Sequence, residues 1–300
     1  MTAHDDIRIG TLVQAEHDAA EYIRQILPHG FESFELTFLR HVGLMDLARL
    51  ADEVGRVLDE ARNSAVISSL GIYGNPLTDE QTAGDWGRLI DAAESFGCTL
   101  VCGFTGRLPE KPVPESLPRL GEVFGPLVSR AEDRGVRLAF ENCDMGGTWQ
   151  SGDWNLAHAP AAWEMIFNQL PSDAVGLEWE PCHQMVSLLD PLPQLRQWVD
   201  KVFHVHGKDA TVLWDVVRTR GIRGPQPYVY HRTPGFGDTN WTDVISILRA
   251  AGFRGSIDVE GWHDPVYRGE LEMTGQVRAL DYLKQCRGGP FVPNPTVGPE

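Results

Sequence analysis

Residues 175–183 read "VGLEWEPCH". Val175, Gly176 and Leu177 open a buried strand; Glu178 and Glu180 follow two positions apart, and His183 closes the run. Side chains alternate across a strand, so both glutamates point to one side. A buried carboxylate without a partner is costly, and two like charges side by side are worse. The surroundings of this strand must supply positive charge, and the source of that charge depends on how the rest of the chain is arranged around it.

Short apolar runs alternate with longer amphipathic ones on both sides of this stretch. The strand-like runs are "IRIGTL" (7–12), "FESFELTF" (31–38), "AVISSLGI" (65–72), "CTLVCGF" (98–104), "VRLAFEN" (136–142), "AVGLEWE" (174–180), "KVFHVHG" (201–207) and "GSIDVEG" (255–261). Between them, apolar residues recur at helical spacing, as in Leu44, Leu47, Leu50, Val54 and Leu58, or Leu117, Leu120, Phe124, Leu127 and Ala131. "TNWTDVISILRAAG" predicts a helix capped by Asn240 and stopped by Gly252. Eight strands alternating with helices predict a single-domain (β/α)8 TIM barrel over 1–287, with a Pro/Gly-rich tail over 288–300. A doubly wound open sheet would place a Gly-rich turn after the first strand, and "IGTLVQAEHD" has none. Residues 207–240 form a long connection after the seventh strand, and such connections are usually functional.

Composition narrows the function. A net charge of -16 repels nucleic acid and anionic membranes, and no Lys/Arg cluster offsets it. No run approaches the length of a membrane span, and "MTAHDDIRIG" has no secretory pattern. The five cysteines are scattered without a CxxC pair, which points to a reducing compartment and a cytoplasmic protein.

In a barrel of this kind, chemistry gathers at the C-terminal strand ends. The fifth strand ends in Glu141, the sixth in Glu178 and Glu180 with His183 beyond, and the seventh carries His204 and His206 before Lys208. The eighth ends in Glu260, followed by His263. Taken singly, each would more often be an ion-paired or surface group. Four successive strand ends carrying such groups need a cation between them. Carboxylate oxygens and an imidazole nitrogen suit Mn²⁺, Co²⁺ or Mg²⁺, with Zn²⁺ and Fe²⁺ also compatible. The expected ligands are Glu141, Glu180, His206 and Glu260. Expected substrate contacts are His183, Glu178, Lys208, His204, His263 and Arg232, and Trp149, Trp154, Trp179 and Trp262 are candidate walls for a sugar.

These residues resemble the xylose isomerase-like TIM barrels, the sugar phosphate isomerase/epimerase superfamily, over the chain up to about residue 286. "LAFEN" (138–142), "EPCH" (180–183), "HVHGKD" (204–209), "PGFGDTNW" (234–241), "DVEGWHD" (258–264) and "GIYGNPL" (71–77) are similar to its motifs. The resemblance implies one divalent metal on Glu141, Glu180, His206 and Glu260. It also implies Glu141 and Glu260 as the acid/base pair and His183 against the substrate. Glu180 departs from the family's usual aspartate, and a carboxylate at Glu178 is not typical. The implied activity is isomerisation or epimerisation of a small sugar by proton transfer next to a carbonyl. The alternative is β-elimination by a lyase or dehydratase on a keto-sugar, keto-inositol or 3-keto-glycoside, including C-glycoside cleavage. A non-catalytic sugar-binding role is a further reading. An AP endonuclease would need histidines where "GIYGNP" and "GFTGR" stand, and an aspartate where Val229 stands. The 207–240 connection or the tail offers a surface for a homo-oligomer or a small partner subunit.

Overall fold

The computed structural model describes residues 6–15, 18–62, 65–261, 263–289, 292 and 295. The barrel strands in chain order are β1 (Arg8–Gln14), β2 (Ser33–Thr37), β3 (Val66–Ile72), β4 (Leu100–Gly103), β5 (Arg137–Glu141), β6 (Val175–Trp179) and β7 (Val202–Gly207). After β7 come a short antiparallel pair, β8 (Asp209–Val212) and β9 (Val229–Arg232), and the last barrel strand, β10 (Ser256–Val259). The barrel closes in the order β1-β10-β7-β6-β5-β4-β3-β2, with parallel registers throughout. All eight expected strands are present.

The helices are α1 (Ala19–Ile26), α2 (Leu47–Glu60), α3 (Glu80–Ala92), α4 (Val113–Asp133), α5 (Pro160–Gln169), α6 (Pro181–Val186), α7 (Pro191–Trp198), α8 (Trp214–Arg220), α9 (Trp241–Ala250) and α10 (Glu272–Cys286). Helix α9 starts as expected: the Asn240 side chain accepts a hydrogen bond from the Asp243 amide at 3.2 Å, and Gly252 ends the turn at φ +80°. Helix α2 starts later than the apolar spacing predicted. The Asp46 side chain accepts from the Arg49 amide at 3.1 Å, so Leu44 falls outside the helix and is fully exposed. The connection after β7 was expected without structure of its own. It holds β8, β9 and α8, with Asp209 in register with Arg232 and Val212 with Val229.

Apolar side chains fill the layer between strands and helices. Trp86 of α3, Phe124 of α4 and Phe140 of β5 meet edge to face there, with ring centroids 4.9 to 6.1 Å apart. The barrel's own interior is different. Ser33, Glu35, Cys102, Glu178, His204, His206 and Asp258 are all buried. Glycines make room for these polar groups. A Cβ on Gly10 would stand 2.2 Å from Asp258 Oδ1, and one on Gly71 would stand 2.4 Å from Glu35 Oε1.

The excursion after β7 is fastened at its base by Asp209. Its carboxylate accepts from the Thr239 amide and the Trp241 indole, each at 3.0 Å, and so ties the end of β7 to the start of α9. Residues 221–227, the far turn of the excursion, are exposed. Most of the tail expected over 288–300, and Trp262, lie outside the described residues.

Candidate metal centre

The polar groups of the interior stack in depth. Two residues along a strand advance about 6.6 Å, so each pair of same-facing side chains occupies two levels. At the lower level His204 lies between two carboxylates: Nε2 is 2.8 Å from Asp258 Oδ2 and Nδ1 is 2.9 Å from Glu178 Oε1. Ser33 and Ser68 also donate to Asp258. Burial alone would lower the His204 pKa, but the hydrogen bonds to Asp258 and Glu178 outweigh it and push it to about 10. Burial would raise Glu178, yet His206 and His204 hold it down at about 2.

One level higher, the His206 ring faces two ways. Nε2 lies 3.1 Å from Glu178 Oε1. Nδ1 lies 3.2 Å from Glu141 Oε1 and 3.3 Å from Glu260 Oε2. Ligand atoms of Glu141, His206 and Glu260 all fall within 4.8 Å of one another. Tyr73 stands beside them, its hydroxyl on Glu35 and 3.0 Å from Glu178 Oε2.

Glu180 caps the short helix α6 next to this trio without joining the close group. Asn142 clamps its backbone, accepting from the Glu180 amide at 2.7 Å and donating to its carbonyl at 3.0 Å. Both Glu180 carboxylate oxygens and Glu260 Oε2 are buried and accept no well-aligned hydrogen bond, with His183 3.1 Å from Glu180 Oε1 and His206 3.3 Å from Glu260 Oε2 as ion-pair neighbours. Burial raises Glu180 to about 7, with Glu260 and Glu141 adding to the rise. Lys208 lies 2.7 Å from Glu260 Oε1 and 3.9 Å from Glu180 Oε2. Burial would lower the lysine, but these glutamates keep its pKa well above the ordinary value.

Unsatisfied buried acceptors and carboxylate–imidazole donors are what a divalent cation requires. The residues present fit one. His206 now holds a proton well above its usual range: burial would lower it, but Glu178 and Glu35 on one side and Glu141 on the other outweigh that. A cation bound by Glu141 and Glu260 would replace that proton at Nδ1.

Above the trio opens a cavity of about 570 Å³ whose polar lining includes Arg40, His41 and Tyr73 as well as Glu141, His206, Lys208, Glu260 and His263. His263 Nε2 lies 3.2 Å from Glu260 Oε1. His183, buried beside the cavity, lies 3.1 Å from Glu180 Oε1 and 3.6 Å from Asp144 Oδ1. The other expected substrate contacts are placed elsewhere. Glu178 and His204 lie beneath His206, fully buried and outside the cavity lining. Arg232 pairs with Asp264 at 3.1 Å. Trp179 is buried in the apolar layer. Trp154 lies under the Arg40 guanidinium, 4.5 Å from its ring centroid.

Tyr73 and Asp258 were not singled out in the sequence. Their only signals were the "GIYGNPL" run at the end of β3 and the inward parity of Asp258 with Glu260.

The fold and this cluster define a (β/α)8 barrel with an acid–imidazole centre at the C-terminal mouth of its strands. The chain belongs to the xylose isomerase-like TIM barrel family, whose description it matches over residues 23–286. It is 33% identical over 114 residues to an inosose dehydratase of Lactiplantibacillus plantarum, a match covering 37% of either chain. The chain thus spans little more than a third of that relative's length. Among solved structures it is similar to a xylose isomerase domain protein from Planctomyces limnophilus (17% identity, 94% and 97% of the two chains, TM-score 0.69). It is also similar to the 3-keto-D-glucoside 4-epimerase of E. coli (18% identity, 94% and 100%, TM-score 0.68). At such identities these likenesses concern the fold. No helix among the described residues is long and apolar enough to cross a membrane.

Proposed function

We propose that the protein is a divalent-metal-dependent sugar isomerase or epimerase acting by proton transfer at a carbon next to a carbonyl. The observation that carries this is the meeting of Glu141, from β5, and Glu260, at the end of β10, on the one imidazole nitrogen of His206 at the cavity floor. Glu141, Glu180, His206 and Glu260 would hold the ion, with Mn²⁺, Co²⁺ or Mg²⁺ suiting the donor set. A bound ion supplies Lewis-acid polarisation of the carbonyl and its neighbouring hydroxyl.

The chain's own groups then divide the work. One of Glu141 and Glu260 takes the proton, and the other returns it to the same or an adjacent carbon. Lys208, which already donates to Glu260, keeps that carboxylate ionised; burial would raise it, but the ammonium outweighs this and holds it well below its usual range. His263, on the cavity lining, would donate to a substrate oxygen, and His183, paired with Glu180 beside the cavity, is assigned the same role. Incubating the Mn²⁺-loaded protein with ketoses in D₂O tests this reading. Solvent deuterium should appear at the carbon next to the carbonyl, and its absence from every ketose tried would overturn the proposal.

The second reading is a dehydratase or lyase, in which the same proton abstraction expels a group two carbons away. The inosose dehydratase relative favours it. Release of water or an aglycone in the same incubation, in place of exchange alone, would select it.

A further inference from the structure

Beneath His206, four strands each send one potential ligand into the barrel lumen: Glu35 from β2, Cys102 from β4, Glu178 from β6 and His204 from β7. Strands β2, β4 and β6 are alternate staves, and inward side chains of alternate strands share one layer of a barrel core. Such layers are normally filled with branched apolar residues. Here one ligand atom from each of the four residues lies within 4.8 Å of the others, and all four residues are buried. The charge count favours a cation. Glu35, Glu178 and the adjoining Asp258 bring three carboxylates, and their ion pairs are with His204 and His206. Two imidazoles carry at most two positive charges, so three ionised carboxylates leave the lumen negative.

The groups behind these four are arranged as supports. His204 Nε2 lies 2.8 Å from Asp258 Oδ2, and Ser33 and Ser68 donate to that aspartate. With Nε2–H donating to Asp258, Nδ1 is the nitrogen left facing Glu178 Oε1 at 2.9 Å and Glu35 Oε2 at 3.3 Å. Glu35 in turn accepts from Ser69 at 2.7 Å and from Tyr73. A histidine backed by a carboxylate, and carboxylates that are themselves hydrogen-bonded, are the outer contacts that orient metal ligands. An approach also exists. His204 reaches the lining of a second cavity, about 270 Å³, at the N-terminal ends of the strands, together with Ser68 and Ser256. Arg8, Arg137 and Arg254 line it too, and their charge opposes a dication, so the ion is best supplied while the chain folds.

We propose that Glu35, Cys102, Glu178 and His204 form a second metal site, for Zn²⁺ or a similar borderline-soft ion, closed inside the lumen below the oxygen-rich centre at the mouth. One thiolate, one imidazole and two carboxylates match the donor preference and four-coordination of zinc. Ligands at about 2.0 to 2.3 Å around a tetrahedral ion stand roughly 3.3 to 3.8 Å apart, so the group needs only a small contraction. Such an ion would join four staves of the barrel and fix Glu178 under the His206 ring. The site has no room for substrate and stands apart from the proton-transfer chemistry proposed above.

The test uses Co²⁺, which takes zinc-type sites and gives a thiolate-to-metal charge-transfer band only where sulfur is bound. The trio at the mouth offers no sulfur, so the band separates the two sites. The full chain, produced in medium supplemented with Co²⁺ and then dialysed against excess Mn²⁺, should keep about one cobalt per chain and show the band. Cys102→Ser, which keeps the size of the side chain, should lose the band. Cys182→Ser should keep it, with circular dichroism confirming the fold of both. A parent chain that keeps no cobalt, or keeps it without the band, overturns the site whether or not the variants fold. A band that survives Cys102→Ser overturns it as well, and a band lost in Cys182→Ser would move the sulfur ligand to the Cys182–His183–His231 group at the rim. Deuterium exchange into ketoses reads the chemistry at the mouth separately, so the lumen site and that chemistry can fail independently.

Discussion

The Nε2 atom of His206 lies 3.1 Å from Glu178 Oε1, on the side of the ring opposite Glu141 and Glu260. A carboxylate there accepts the Nε2 proton and leaves the Nδ1 lone pair for a cation. The first glutamate of "VGLEWEPCH", Glu178, is thus matched by the imidazoles of His204 and His206, and the second, Glu180, by His183 and Lys208, so the charge problem of that strand is solved in two layers. Glu178→Gln should weaken Mn²⁺ binding by about 10- to 100-fold, by removing the charge and loosening the ring orientation. Titration calorimetry or the manganese spin-resonance signal measures this directly. An unchanged affinity would show that the ring is held by other contacts.

Glu141→Gln and Glu260→Gln should each slow deuterium exchange into substrate by about 10²- to 10⁴-fold, the range for losing a positioned proton-transfer group. Circular dichroism should stay that of the parent. Glu260→Gln also removes the charge beside Lys208, so its lysine should become reactive to amine reagents at lower pH than in the parent.

Metal affinity should depend steeply on pH. Burial lifts Glu180 to about 7, so below that pH the group is protonated in the metal-free protein and a cation must displace the proton. Apparent Mn²⁺ affinity should therefore fall about tenfold per pH unit below 7 from this group alone, with His206 adding to the slope. Stopped dialysis at pH 6, 7 and 8 tests the sign, and a flat profile contradicts it.

The metal-free fold should lose stability in alkali. His204 keeps its proton to about 10 when folded, against an ordinary histidine value when unfolded. That stabilisation is complete below the unfolded pKa and is lost as pH rises through the folded one. Scanning calorimetry should show the melting temperature falling between about pH 7 and 10.

The lumen should resist enlargement. In Gly10→Ala the new methyl would stand 2.0 Å from the Ser33 carbonyl oxygen and 2.2 Å from Asp258. Both neighbours belong to the packed interior, so a loss of about 1 to 3 kcal/mol is expected in urea unfolding.

Much of this was legible in the chain. The eight strands were readable because β-branched and apolar runs alternate so regularly with helical spacing. Position at the strand ends singled out Glu141, His206 and Glu260, and parity paired Glu178 with Glu180 and His204 with His206. Parity reports the side of a strand but not the depth, which is why Glu178 and His204 were expected against substrate and are placed one level down. Leu44 fitted the helical spacing of α2 by number, but the Asp46 cap excludes it. The β8–β9 pair was hidden by the Gly, Pro and Arg of the segment between its strands. Asp209, which opens the pair, is held by Thr239 and Trp241, which lie 30 and 32 residues further along the chain.

That same aspartate sets the practical handling of the molecule. Because it bolts the root of the excursion next to Lys208, changes in loop length near Asp209 or Thr239 will be felt at the reaction floor. The outward bend at Arg223–Gln226 has no such bolt and suits a grafted label or purification handle.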